Sequence, residues 1–213
     1  MYTIMKKLFV IATLFASMVV ANAQQLGVTG GLTLSKMNGV TNPKETKAVV
    51  LYSAGVLYKA DLGAGFAIQP ELLWQVKGAD VQENTGALDN VIVSRSNNVE
   101  LGLGLQWGPD LLAFRPYLFV EPYLGYSLGG KETYALANTD VGKKDFSSAR
   151  NKLEYGVGAG LGVEIASHVQ ISCQLFRNMG PLYNKEKVQE SYRSSYDHLK
   201  NYQGIKINLA ILF

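Results

Sequence analysis

The chain predicts an all-β fold, an eight-stranded antiparallel β-barrel that spans a membrane, and three observations carry that reading. Eight segments alternate apolar and polar residues with period two, the pattern of strands with one face in lipid. No stretch after the N-terminus reaches the ~18 uninterrupted apolar residues of a membrane helix. The connections between the eight segments alternate strictly between long and short. A bilayer-spanning chain without membrane helices must close into a barrel, because only helices and closed barrels satisfy every backbone polar group in lipid.

The eight segments, in order, are Leu26 to Ser35, Val49 to Ala60, Phe66 to Lys77, Asn98 to Trp107, Arg115 to Leu128, Leu153 to Ile165, Val169 to Phe176 and Tyr202 to Phe213. Most are near or above the ~9–11 residues that a tilted strand needs to cross the hydrocarbon. Short connections at Ala60 to Gly65, Gly108 to Phe114 and Ala166 to His168 are expected to be periplasmic turns. Long ones at Lys36 to Ala48, Gly78 to Asn97, Gly129 to Lys152 and Arg177 to Asn201 are expected to be four outer loops, which puts both termini on the periplasmic side.

Ahead of the barrel, Met1 to Ala23 has Lys6 and Lys7, an apolar run from Leu8 to Ala21, and Ala21-Asn22-Ala23. That order of basic, apolar and small residues predicts a secretory signal peptide over residues 1–23, leaving a single barrel domain over 24–213. The run is too short for a spanning helix. Among 213 residues, twenty Lys and Arg stand against seventeen Asp and Glu, and Lys6 and Lys7 belong to the signal. The remainder is nearly neutral, so nothing in the charge points to nucleic acid. Cys173 is the only cysteine, which excludes an intrachain disulfide framework; its strand position predicts an apolar filler facing lipid.

The aromatic residues are an independent check. On the topology set by loop lengths, Tyr52, Trp74, Tyr126 and Tyr155 fall on the lipid face near the outer rim, and Tyr58, Phe66, Trp107 and Phe213 near the periplasmic rim, as two interfacial girdles require. Alternation alone also fits a soluble barrel with its apolar face inward. The opposite face decides in favour of lipid, for it holds Lys59, Glu71, Lys77, Glu100, Arg115, Glu121, Glu154, Glu164 and Lys206, with Gln69, Gln75, Gln106 and Asn208. These nine charged residues are expected to form a lumen network of ion pairs shielded from bulk water. Which carboxylate meets which cation depends on register.

Gly102 and Gly104, and the row Gly156, Gly158, Gly160 and Gly162, also face inward. The strand between them presents Arg115, Tyr117, Phe119, Glu121 and Tyr123. Two readings stay open: large side chains lean over bare neighbours and fill the narrow lumen of an eight-stranded barrel, or the glycines permit strong curvature.

Three stretches resemble a known family. Ile68-Gln-Pro-Glu-Leu-Leu-Trp-Gln-Val-Lys-Gly78, Arg115-Pro-Tyr-Leu-Phe-Val-Glu-Pro-Tyr-Leu-Gly-Tyr126 and Leu26-Gly-Val-Thr-Gly-Gly-Leu-Thr-Leu-Ser35 are similar to strands of small outer-membrane β-barrel proteins of the PorT-like or "porin family" type. With the sixth strand and Phe213 the resemblance covers essentially the whole chain after the signal. It implies outer-membrane residence, the bilayer as principal partner, and recognition of the C-terminal strand ending in Phe213 by barrel-assembly machinery. It implies no activity.

Catalytic signals are weak. His168 and His198 fall on opposite sides of the membrane, so no histidine metal cluster forms within the chain. Asp197-His198 beside Ser194 and Ser195 suggests an outer-rim hydrolase, but a triad is a matter of geometry and adjacent residues in a polar loop rarely make one. The glycine row lacks the spacing and following helix of a nucleotide site. No enzyme activity, cofactor or metal is therefore expected. Tyr183, Tyr192, Tyr196 and Tyr202 interleave with Lys185, Lys187, Arg193 and Lys200 in the last loop, a composition suited to a glycan or protein ligand. The leading expectation is a monomeric structural or surface-recognition barrel with a filled polar lumen. A narrow passive pore is the alternative.

Overall fold

The computed structural model describes residues 24–38, 46–47, 49–85, 88–136, 139–144, 151–180 and 201–213. The expected signal peptide and the tyrosine-rich part of the last loop, with its Asp197-His198 pair, lie outside the described residues. Eight long strands form the wall: β1 (Gln24–Asn38), β2 (Val49–Gly63), β3 (Phe66–Thr85), β4 (Leu88–Trp107), β5 (Phe114–Leu136), β6 (Leu153–Ile165), β7 (Val169–Asn178) and β8 (Asn201–Leu212). Each pairs antiparallel with its sequence neighbour, and β8 returns to β1 from Gly27↔Leu212 to Asn38↔Asn201. The sheet has no free edge in the membrane, so no backbone row is left to face lipid unpaired.

The side chains divide as the alternation predicts. Leu26, Val28, Leu32 and Leu34 of β1 and Ile205, Ile207, Leu209 and Ile211 of β8 are exposed on the outer surface, while Thr29, Thr33, Ser35 and Lys206 between them are buried. An exposed apolar belt around a buried polar interior is the inverse of a soluble core. It fits lipid outside and a polar lumen within. Cys173 stands in the exposed belt.

Each aromatic girdle contains a pair of rings in contact. Near the outer rim Tyr52 meets Trp74 edge-on with ring centroids 5.5 Å apart, and at the other end Phe66 packs against its cross-strand partner Trp107 at 6.4 Å. A double-mutant cycle on Tyr52→Ala and Trp74→Ala should give a coupling of about 0.5–1.5 kcal/mol, the usual worth of such a pair beyond its area. Urea unfolding in micelles measures it; strictly additive losses would mean that each ring acts through lipid alone.

The short connections are tight. The β2–β3 turn has positive φ at both Ala64 (52°) and Gly65 (80°), the left-handed pair that matches the twist of a two-residue hairpin. Gly65 also lies against the next turn, accepting the Gly108 N–H at 2.9 Å, and a Cβ there would stand 2.4 Å from the Gly108 carbonyl oxygen. The first and last strands are tied to this same rim: Phe213 N–H donates to Leu26 O at 2.8 Å, and the Gln25 side-chain amide donates to Ser167 O at 2.7 Å. It is the rim of short turns, the periplasmic end in barrels of this class.

The opposite rim departs from expectation. Residues 78–97 read as a long polar loop, yet β3 and β4 remain paired to Thr85↔Leu88, and Gly129 to Leu136 continue β5. Thr46–Lys47 pairs with β3 at Asp80 and Val81, and Thr139–Lys144 pairs with the end of β5. A β-hairpin therefore rises beyond the wall with strand partners on both sides. At 20 residues, β3 is twice the ~9–11 needed to cross the bilayer. Lipid imposes its alternation only on the length of strand that crosses it, so no alternation marks these residues as strand.

The polar lumen as candidate functional site

All nine residues expected in the lumen are buried: Lys59, Glu71, Lys77, Glu100, Arg115, Glu121, Glu154, Glu164 and Lys206. Strand register sorts them into three levels along the barrel axis. The alternation of each strand aims the side chain inward, and the stagger between strands decides which ones meet.

At the periplasmic level Lys59 of β2 bridges to Glu164 of β6 at 2.8 Å and to Asp61 at 3.1 Å. Arg115 of β5 lies 3.7 Å from the other Glu164 oxygen, donates to Gln106 Oε1 at 3.0 Å and to Gly65 O at 2.9 Å, and reaches the exposed Asp110 at 3.4 Å. Gln106 in turn donates to Gln69, and Gln170 donates to Glu164, both at 2.9 Å. This network crosses the lumen from wall to wall.

At the outer level Lys77 of β3 stands between Glu100 of β4, its closest contact, and Glu154 of β6 at 3.3 Å. The Asn178 side chain accepts from Lys77 and from the Tyr123 hydroxyl, and donates to Glu154 at 2.9 Å. The ammonium also sits 4.8 Å from the Tyr123 ring centroid and 5.9 Å from that of Phe176, close enough for the ring faces to attract it. Gln75 closes the wall beside it, donating to Thr33 at 3.2 Å.

Between the two levels stand Glu71, Glu121 and Lys206. Among the described residues, no ion pair within 4.0 Å includes any of these three. Glu71 and Glu121 approach one another across Gly102, where a Cβ would lie 3.0 Å from Glu121 Oε1 and 3.1 Å from Glu71 Cγ. Each is next to a proline, Pro70 and Pro122. The β2–β3 ladder runs to Leu57↔Glu71 and resumes at Ala60↔Ile68, and the β4–β5 ladder breaks between Gly102↔Tyr123 and Leu105↔Val120. A proline has no N–H to give the ladder, which accounts for both interruptions.

Aromatic rings occupy the space over the glycine row. A Cβ on Gly162 would fall 2.5 Å from Tyr117 Cζ, one on Gly160 2.8 Å from Phe119 Cζ, and one on Gly156 2.4 Å from the Tyr123 hydroxyl. The three rings are buried, and Tyr117 and Phe119 pack with centroids 5.9 Å apart. Large side chains fill the volume the glycines leave, so the lumen is crossed by rings as well as by ion pairs.

Some members of the network escape the sequence reading. Asn178 is buried at the centre of the outer cluster, but β7 was expected to end at Phe176. The signal was available: Gln170, Ser172, Gln174, Phe176 and Asn178 continue one inward phase. Asp61 and Asp110 lie at the rim next to turns, where alternation stops and gives no direction.

A closed antiparallel sheet of eight strands, apolar outside and charged within, defines an integral outer-membrane β-barrel. The family model "Outer membrane protein beta-barrel domain" matches residues 20–201, and the chain belongs to that family. Among solved structures it is similar to a major outer membrane protein from Thermus thermophilus, at 12% identity and a TM-score of 0.46, covering 90% of this chain and 100% of that one. Neisserial surface protein A is similar at 11% identity and TM-score 0.44, over 88% of this chain and 97% of that one. Ail, the attachment invasion locus protein of Yersinia pestis, is similar at 9% identity and TM-score 0.41, over 89% and 97%. No curated protein matches the chain.

Proposed function

We propose that this barrel is a closed, non-enzymatic outer-membrane protein, acting through what it presents at the cell surface rather than through passage of solute. The observation that carries this reading is the filled lumen. Ion-pair networks cross it at two levels, and Tyr117, Phe119 and Tyr123 lie over Gly162, Gly160 and Gly156 between them. The paired β3–β4 hairpin carries the wall beyond the outer rim, and the tyrosine- and lysine-rich last loop supplies contact chemistry for a glycan or a protein ligand.

The same proposal includes export by the signal at residues 1–23, recognition of the strand ending in Phe213 by assembly machinery, and a monomeric state, since a closed sheet needs no partner for its edges. The PorT-like resemblance of residues 26–35, 68–78 and 115–126 stands as our reading within the broader family. The narrow passive pore is the competing function.

Planar-bilayer conductance separates the two. The wild-type protein should be silent, and Tyr117→Gly, Phe119→Gly and Tyr123→Gly together should open a steady conductance. Steady wild-type conductance would instead establish a pore.

A further inference from the structure

We infer that the outer wall of the barrel carries a seat for one acyl chain of a phospholipid in the periplasmic leaflet, in a groove that crosses β1 to β4 over the ladder break at Pro70. The groove holds about 760 Å³ and opens on the face that meets the bilayer, where Val28, Val56, Leu72 and Leu101 are exposed. That volume falls within the ~300–1,000 Å³ of sites that take small molecules.

Register builds its two sides. Val28↔Val56, Val56↔Leu72 and Leu72↔Leu101 are cross-strand partners, so four branched aliphatic side chains form one continuous row over four strands. On the periplasmic side Leu26 pairs with Tyr58, and Phe213 is tied to Leu26 through its N–H. Pro70 follows at the break in the β2–β3 ladder, between Leu57↔Glu71 and Ala60↔Ile68. A compact ring beside long and aromatic side chains leaves this second row low at one point. All of these residues line the groove.

The occupant follows from what the groove opens on. Its rims are continuous with the exposed apolar belt of Leu32, Leu34, Ile207 and Leu209, which hydrocarbon surrounds. Tyr58 and Phe213 belong to the periplasmic girdle, and that sets the depth within the nearer leaflet. Between lipid and an apolar wall there is no hydrophobic driving force, so packing decides which contacts persist. A chain on a convex wall touches protein on one side only. A chain in this groove touches both rows and the backbone between them, and each added atomic contact contributes dispersion attraction. It also covers the stretch of seam where Pro70 offers no N–H, beside the buried Glu71.

The test is photolabelling in vesicles of phosphatidylethanolamine that carry a trace of the same lipid with a diazirine midway along one chain, followed by digestion and mass spectrometry. The comparison positions are Leu161 and Ile171, which are exposed toward the short-turn end of β6 and β7 and lie outside the groove. Adducts at Val56, Leu72 and Leu101 should exceed those at Leu161 and Ile171 at least about fivefold, because only the groove packs around the chain. Val56→Trp and Leu101→Trp, which fill the groove, should each bring the remaining groove positions down to the level of Leu161 and Ile171. Even labelling around the wild-type belt would overturn the seat and leave ordinary exchange of lipid along the wall. Groove positions labelled less than Leu161 and Ile171 would overturn it in favour of a second copy of the chain covering this face. Enrichment that survives both tryptophan variants would also overturn it. If one variant does not fold, the wild-type distribution and the other variant still decide.

Discussion

Lys77→Met destabilises the barrel by about 3–5 kcal/mol, the range observed when one partner of a buried ion pair is removed and the other charge is left behind. Lys77 is buried, stands between Glu100 and Glu154, and donates to Asn178. Methionine fills a similar volume, so the loss is electrostatic: Glu100 and Glu154 lose the ammonium that stands between them. The measurement is urea unfolding in micelles, alongside the mobility of unheated protein on a denaturing gel. Adding Glu100→Gln and Glu154→Gln to Lys77→Met should restore much of the loss, because neutral amides cost less to bury than unpaired charges. A Lys77→Met barrel as stable as wild type would mean that water reaches this level and screens the carboxylates.

The second large effect concerns the glycine row. Gly162→Ala should cost about 1–3 kcal/mol, the usual penalty for an added methyl in a packed interior, since its Cβ would lie 2.5 Å from Tyr117 Cζ and 2.9 Å from Ile171 O. Gly158→Ala should cost much less. The three atoms nearest its Cβ all belong to the Gln174 side chain, whose amide end can swing aside. Combining Gly162→Ala with Tyr117→Leu should recover most of the first loss. If the glycines serve curvature instead, Gly162→Ala costs the same whether residue 117 is Tyr or Leu, and the coupling vanishes. The cycle therefore separates the two readings that alternation left open.

The wall was legible in the sequence because lipid imposes a rule on every residue that touches it. Leu32, Leu34, Ile207 and Leu209 must be apolar, and Thr33, Lys206 and Asn208 between them are free to be polar, so both phase and strand order follow from the pattern. The hairpin from Gly78 to Asn97 was not legible. Asp80, Gln82, Glu83 and Asn90 belong to lengths of β3 and β4 beyond those needed to cross the bilayer, where no face has to be greasy. The nine lumen charges were legible as a face but not as partners. Glu164 meets Lys59 and Arg115, and Glu154 meets Lys77, only because the strands are staggered as they are, and stagger leaves no trace in residue type. The Glu71–Glu121 approach was hidden for the same reason, although Pro70-Glu71 and Glu121-Pro122 are mirror-ordered dipeptides in the sequence.

Closure of the wall also constrains the order of events during biogenesis. Until β8 pairs with β1, the sheet is an open ribbon, and its charged face would lie against acyl chains. A cationic side chain exposed to lipid costs about 2–4 kcal/mol at the bilayer midplane and less toward either interface, so an open ribbon with its charged face against lipid lies well above the finished barrel. Lys206, the positive charge facing Glu71, arrives with the last strand. Strand-by-strand entry into lipid is therefore blocked by the same residues that later hold the interior together, and curling must precede or accompany insertion.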